Sequence, residues 1–275
     1  MMTERAWLIH GNNIDHYMEL GDVAAIITDP PYGDEVHNKF RVGRNGLGQV
    51  DSVPIPFDKL TDEDMEMLSY FAAEHCKGWT LIFSQDEHIP AWRYQMETNN
   101  AGGTRYFRSM IWIKPNAKPN LNGDGPGKAH EMIQAYWSGI GRTKWNGGGK
   151  AGLFIHSRAH TQGRTTRVHP TEKPVALMKE LVRLFTNPGD VILDPFMGSG
   201  STGVAAIELG RRFVGIEKDP VYYETATQRI SEALSKNEIL PSANVKMPTL
   251  FGDAAFGSTG TKKRLAREAK ENAKP

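Results

Sequence analysis

Two short stretches of this 275-residue chain concentrate side chains with chemical uses. The first is Asp29-Pro30-Pro31-Tyr32, directly after the apolar run Ala24-Ala25-Ile26-Ile27-Thr28. Neither proline has an N–H to give to a sheet ladder and each fixes its own φ, so a strand must stop at Asp29 and leave in a stiff direction. A carboxylate, a carbonyl and a ring are then presented together at a strand's C-terminal edge, which is where open parallel sheets bind ligands. The second stretch is Asp194-Pro195-Phe196-Met197-Gly198-Ser199-Gly200-Ser201-Thr202-Gly203. Its glycines have G-x-G-x-x-G spacing, a turn whose backbone approaches a ligand closely while a helix N-terminus faces it. Glu217, followed by Lys218, ends the next apolar run and suits the two hydroxyls of a ribose. Together these residues point to an adenosine-containing cofactor, and the glycine spacing alone also fits NAD or FAD.

These groups need a sheet to hold them. Short apolar runs alternate with helical patterns, which indicates an α/β sheet with helices on both faces. Strands are expected near 6–10, 23–29, 79–84, 106–114, 131–138, 190–194 and 212–217, and helices near 12–20, 61–76, 88–99, 173–186, 201–209 and 220–236. No helical pattern separates the runs YFRSMIWIK and EMIQAYWSG, so they read as an antiparallel pair added to a parallel sheet. A dinucleotide fold continues for several strands after its glycine unit, whereas here one helix and a tail follow Glu217. The N-terminal half must therefore complete the sheet, with strand 6–10 beside strand 212–217 and the cofactor site assembled from both ends of the chain.

Composition narrows the class. A single cysteine, Cys76, excludes a disulfide scaffold or a cysteine-rich metal site. No run is apolar enough to span a bilayer and the first residues lack a signal-peptide core, so a cytoplasmic protein without a membrane partner is expected. The segment after about Pro241 is rich in Gly, Ser, Ala and Lys and reads as a mobile tail.

The two motifs, in this order, resemble those of the amino-group DNA methyltransferases that carry DPPY before DPFxGSGST and use S-adenosylmethionine. HPTEKPVALMKELV, His169 to Val182, resembles a third segment of that family, which opens a helix beside the methionine end of the cofactor. Thr171 is expected to cap that helix, with Glu172 and Pro174 in its first turn. The resemblance covers about residues 5 to 235 and implies a permuted Rossmann-like sheet, mostly parallel, with a small basic target-recognition insert. Residues 1–138 would form the catalytic half, 139–168 the target-recognition segment, 169–238 the cofactor half and 239–275 the tail. It also implies a cofactor site of Asn12, Asp29, His169, Thr171, Lys173, Asp194, Pro195, Phe196, Gly198, Ser199, Gly200, Ser201, Thr202, Glu217 and Lys218. The family has Gly-Asp where this chain has Gly11-Asn12, and an amide oxygen can accept the same bond from an adenine amino group.

In that family Asp29, Pro30, Pro31 and Tyr32 correspond to the catalytic motif. An exocyclic amine is a poor nucleophile because its lone pair is delocalised into the ring. If the Asp29 carboxylate and the Pro30 carbonyl accept its hydrogens, the nitrogen is held pyramidal and the developing positive charge is stabilised. Tyr32 would stack on a base flipped out of the duplex. Methylation at cytosine carbon needs a thiolate in a Pro-Cys loop, and Cys76 sits instead on a predicted helix. Ser in place of Asp29 is typical of cytosine-amino enzymes, so adenine in double-stranded DNA is the expected target. Cytosine-amino transfer, an NAD-dependent oxidoreductase and a non-catalytic DNA-binding regulator are the alternatives.

Charge placement indicates where DNA would lie. Between Gly139 and Thr171 there are Arg142, Lys144, Lys150, Arg158, Arg164 and Arg167, and no acid, with Trp145 and Phe154 interleaved. Lys39, Arg41 and Arg44 stand in a glycine-containing loop after Tyr32, expected to order over the flipped base. So short a reading segment suggests a homodimer on a two-fold site.

Overall fold

The computed structural model describes residues 1–31, 60–98, 103–117, 119–121, 123–158 and 172–237. The proposed tail, Tyr32, Lys39, Arg41, Arg44, Arg164, Arg167, His169 and Thr171 lie outside the described residues.

The strands are β1 (Ala6–His10), β2 (Val23–Thr28), β3 (Cys76–Ser84), β4 (Arg105–Ile113), β5 (His130–Trp137), β6 (Leu153–Ile155), β7 (Val191–Asp194) and β8 (Arg212–Glu217). They form one sheet in the order β1-β8-β7-β2-β3-β5-β4-β6. The helices are α1 (Asn13–His16), α2 (Asp62–His75), α3 (Ile89–Thr98), α4 (Val175–Phe185), α5 (Ser201–Glu208) and α6 (Pro220–Asn237). β1 runs parallel to β8 with His10 opposite Glu217, so the ends of the chain complete one another as expected. β3, β5 and β4 pair antiparallel. The expected helix over 12–20 is one α-turn continued by a 3₁₀ turn, Tyr17–Glu19.

The central strands are apolar throughout because both faces are covered. Ile27, Leu81 and Ile192 face one core with α4, α5 and α6. Ile26, Ile82 and Leu193 face the other with Tyr17, Phe71 and Trp92. From β7 the chain passes through α5 to β8 on one side, and β3 lies on the other side of β2. The β7/β2 boundary is thus the topological switch point, where a crevice opens beyond the strand ends.

Two expectations are corrected, and one strand is additional. Helix α4 starts at Val175 with Pro174 as its N-cap residue, so Glu172 is outside the first turn and the cap position falls to Pro174 instead of Thr171. The proline ring disfavours helical geometry at the residue before it, Lys173, which sets this boundary. Cys76 is not on a helix: α2 ends at His75 and the buried Cys76 opens β3. Strand β6, unforeseen in its glycine-rich setting, pairs parallel with β4 and buries Phe154 completely. No described helix is long and apolar enough to cross a membrane.

Candidate active site at the switch point

A cavity of about 380 Å³ lies over the C-terminal ends of β1, β2, β7 and β8, within the roughly 300–1,000 Å³ usual for small-molecule sites. It is lined by Asn12, Asp29, Pro30, Pro31, Lys173, Asp194, Pro195, Phe196, Gly198, Ser199, Ser201, Thr202, Glu217 and Lys218, bringing together nearly all of the expected site that is described.

On the β8 side, Glu217 is oriented by its own neighbourhood. Its Oε2 accepts from the Gly198 N–H at 2.9 Å and its Oε1 from the Asp219 N–H at 2.9 Å. Burial pushes its carboxyl up, against these two hydrogen bonds. Gly198 needs glycine's conformational freedom at φ 50°, and a Cβ there would meet only open space. Gly200, at φ 80°, does not line the cavity: a Cβ would come within 2.9 Å of Ala226 Cβ. Gly203 is as tight, 2.4 Å from Ile230 Cδ1. Two of the three glycines therefore serve the packing of α5 on α6, and only the first opens toward a ligand. Ser201, in the first turn of α5, has a buried Oγ with no hydrogen-bond partner among the described residues.

Asp194 joins the two sides. Its Oδ1 accepts from Thr28 Oγ1 at 2.8 Å and from the Phe196 N–H at 3.2 Å, and its Oδ2 accepts from Thr202 Oγ1 at 2.6 Å. Burial pushes this carboxyl up to about 7, against those three bonds. Arg229 on α6 donates to Ser199 and pairs with Glu172 at 2.6 Å, which draws the start of the α4 segment onto the glycine turn.

The β2 side is built differently. Lys173 Nζ donates to Asp29 Oδ2 at 2.5 Å and lies 3.1 Å from Glu131 Oε2, while Lys114 pairs with Glu131 Oε1. Asp29 Oδ1 is buried and has no partner among the described residues. Burial pushes the Asp29 carboxyl up to about 6, Lys173 pulls it down and Glu131 raises it. Glu131 and Lys114 carry no sequence motif; only the antiparallel pairing of β4 with β5 brings them here.

The basic segment is partly neutralised by an acid from elsewhere. Glu180 on α4 pairs with Lys150 and with His156 Nε2, the latter at 2.6 Å. Burial raises the Glu180 carboxyl, and these two partners more than offset it. Arg158 is folded back on Asn116, donating to its carbonyl at 2.8 Å. Trp145 is partly buried, with its ring 4.8 Å from that of Phe185. Arg142 and Lys144 remain exposed.

The sequence profile of a DNA methylase family matches residues 23–228. The putative methylase YubD of Escherichia coli is 51% identical over 65 residues, 24% of this chain and only 29% of that protein's length. The type II methyltransferase M.HinfI of Haemophilus influenzae is 27% identical over 250 residues, 81% of this chain and 67% of that protein. Among solved structures, an M1.HpyAVI complex with SAM superposes with a TM-score of 0.61 at 27% identity, covering 82% of this chain and 98% of that one. The cytosine-N4-specific PvuII DNA methyltransferase shares the fold, with a TM-score of 0.61 at 15% identity over 86% of this chain and 93% of that one. With three-quarters of its length inside the family profile and the strand order closing on this cavity, the chain belongs to the amino-group DNA methylase family.

Proposed function

We propose that this protein transfers the methyl group of S-adenosylmethionine to the exocyclic amino group of adenine in DNA, with the target base flipped out of the duplex. The observation that carries the reading is Asp29, whose Oδ2 is held by Lys173 while its buried Oδ1 has no partner among the described residues. A buried acceptor left open at a cavity is costly unless a ligand satisfies it. An amino group supplies the needed N–H donor.

The residues fit the cofactor. Glu217, already oriented by two backbone donors, would accept from the ribose hydroxyls, and the open Gly198 turn gives a ligand room beside it. Asn12 lies on the cavity wall with no side-chain bond to the helix it precedes, so its amide oxygen is available to an adenine amino group. Ser201 Oγ adds a buried donor, and Phe196 an apolar face. When bound, S-adenosylmethionine supplies an electrophilic methyl group. Asp29 Oδ1 and the Pro30 carbonyl would accept hydrogen bonds from the two N–H groups of the target amine, hold the nitrogen pyramidal and stabilise the charge that develops on it. As the N–C bond forms, the C–S bond breaks with its electron pair staying on sulfur, which leaves S-adenosylhomocysteine. The surplus proton on nitrogen would pass through Asp29 Oδ1 to water. The proline pair keeps those acceptors rigid, so little reorganisation is needed. Tyr32 would stack on the extruded base. Exposed Arg142 and Lys144 in segment 139–158 would meet phosphates, and so short a cationic surface favours two subunits on a site of two-fold character.

Sequencing DNA exposed to the protein, with detection of methylated bases, tests the reading. N6-methyladenine at a repeated sequence is expected. N4-methylcytosine alone would move the target to cytosine, and binding of NAD but not S-adenosylhomocysteine would overturn the cofactor. A monomer mass by light scattering, with and without that DNA, would remove the dimer.

A further inference from the structure

Lys173 is placed by far more than one contact. Its side chain is 5% exposed, its Nζ sits between Asp29 and Glu131, and the same ammonium lies 5.0 Å from the ring centre of Phe83 and 6.0 Å from that of Trp112. Glu131 is in turn held by Lys114, itself 4.8 Å from the Trp112 ring. The result is a partly to fully buried row of alternating charge, Lys114, Glu131, Lys173 and Asp29, drawn from just past β4, β5, the segment before α4 and just past β2. Such a row is electrically balanced, and each cation occupies one oxygen of an acid. A lysine clamped by two carboxylates and two aromatic faces is fixed before any ligand arrives.

Its effect falls on Asp29. With Oδ2 taken by the ammonium, the carboxylate is fixed in rotation and presents Oδ1 alone. On the reading of Asp29 as the amine acceptor, we propose that Lys173 is a positioning residue for Asp29, anchored through Glu131, and not a contact to the cofactor. The consequence is a division of labour in the HPTEKP stretch. Glu172 ties the backbone to Arg229 and the glycine turn, while its neighbour Lys173 turns the other way to the catalytic carboxylate.

A pair of substitutions with opposite electrostatic signs tests this. The charged groups around Asp29 are Lys173, Glu131 and Lys114, with Asp194 from the end of β7. Lys173 favours ionised Asp29 and Glu131 opposes it. The acid limb of the pH profile for methyl transfer to DNA should therefore move up by about one unit or more in Lys173→Met, and down by about half a unit or more in Glu131→Gln. Lys173→Arg, which keeps the cation, should restore the limb toward that of the parent. Calorimetric affinity for S-adenosylhomocysteine should stay within about threefold in all three, a threshold of less than one kcal/mol. Glu131→Gln is near-isosteric and keeps the test usable if Lys173→Met melts too readily. Limbs that stay in place, or move in the same direction, overturn the proposal. So does an affinity loss of tenfold or more in Lys173→Met with the limb unmoved, which would return Lys173 to the cofactor. A parent enzyme that methylates no amino group in DNA overturns instead the reading of Asp29 on which this rests.

Discussion

Asp29 and Glu217 are both carboxylates at the C-terminal ends of parallel strands, with only β7 between their strands, yet they are held in opposite ways. Glu217 is oriented by backbone N–H groups 19 and 2 residues away in sequence. Asp29 is oriented by an ammonium 144 residues away, itself anchored by a side chain from an antiparallel strand. Backbone donors from one local unit need little beyond the turn geometry to be right. A side chain held by distant charges depends on the whole sheet having closed. The unit that orients Glu217 is thus self-contained, whereas the proposed base side is a product of tertiary assembly that leaves one oxygen open.

The sharpest way to break that contrast is to remove each acid and read two quantities. Asp29→Ala should lower methyl transfer by about 10³-fold, the scale seen when a preorganised charge-stabilising group is deleted, while calorimetric affinity for the cofactor stays near that of the parent. Turnover within tenfold of the parent would take Asp29 out of the chemistry.

A smaller effect is expected from pH, through two buried carboxyls at the crevice. Burial lifts Asp29 to about 6 and Asp194 to about 7, both above an ordinary carboxyl near 3.8. A carboxyl that binds its proton more tightly when folded contributes stability below its unfolded pKa, and that contribution is lost as pH rises through the folded value. Between pH 5 and pH 8 these two groups should therefore cost stability, by no more than about 2 kcal/mol after discounting for solvent and relaxation. Activity should rise over the lower part of the same window, because the acceptor role needs Asp29 ionised. Thermal melts of the parent and of Asp194→Asn across that range check the sign. Glu131 and Glu180, whose carboxyls lie below the ordinary value, act only at more acidic pH.

Glu217→Ala sharpens the contrast from the cofactor side. Loss of an oriented acceptor should weaken binding of S-adenosylmethionine by about 1–3 kcal/mol, with turnover at saturating cofactor changed by only a few-fold. An inverted pattern, with turnover lost and affinity kept, would contradict the assignment of the two acids.

The same contrast explains what was legible in the sequence. Val191 to Glu217 is one strand-turn-helix-strand unit, so spacing alone located its parts, and the run before Asp29 marked its own end with two prolines. Pairing of β1 with β8 followed from counting the strands left to place. The row of charges behind Asp29 was not legible, since Lys114 just past β4 and Glu131 in β5 are 17 residues apart and the antiparallel register of those strands must be known first. Nor was the counter-charge of the basic segment, because Glu180 belongs to a helix that begins after that segment ends. Strand β6 escaped because three residues among glycines carry too little periodicity to register, and its support comes from its neighbour β4.

The smallest expected effect concerns the joint between the two sides. Asp194 accepts from Thr28 at the end of β2 and from Thr202 in the first turn of α5, one oxygen to each. If the sides were independent, losing both threonine hydroxyls would cost the sum of the single losses. Because both bonds end on one buried carboxylate, the first loss leaves an exposed demand that the remaining donor and a protonated acid can partly meet, so the second loss acts on a changed group. Thr28→Val and Thr202→Val should each lower stability by about 1–2 kcal/mol in denaturant unfolding. The double variant should depart from additivity by about 0.5–1 kcal/mol, in either direction. Strict additivity would mean that Asp194 serves two separate structures, and the proposed base and cofactor sides would then be joined only by the sheet.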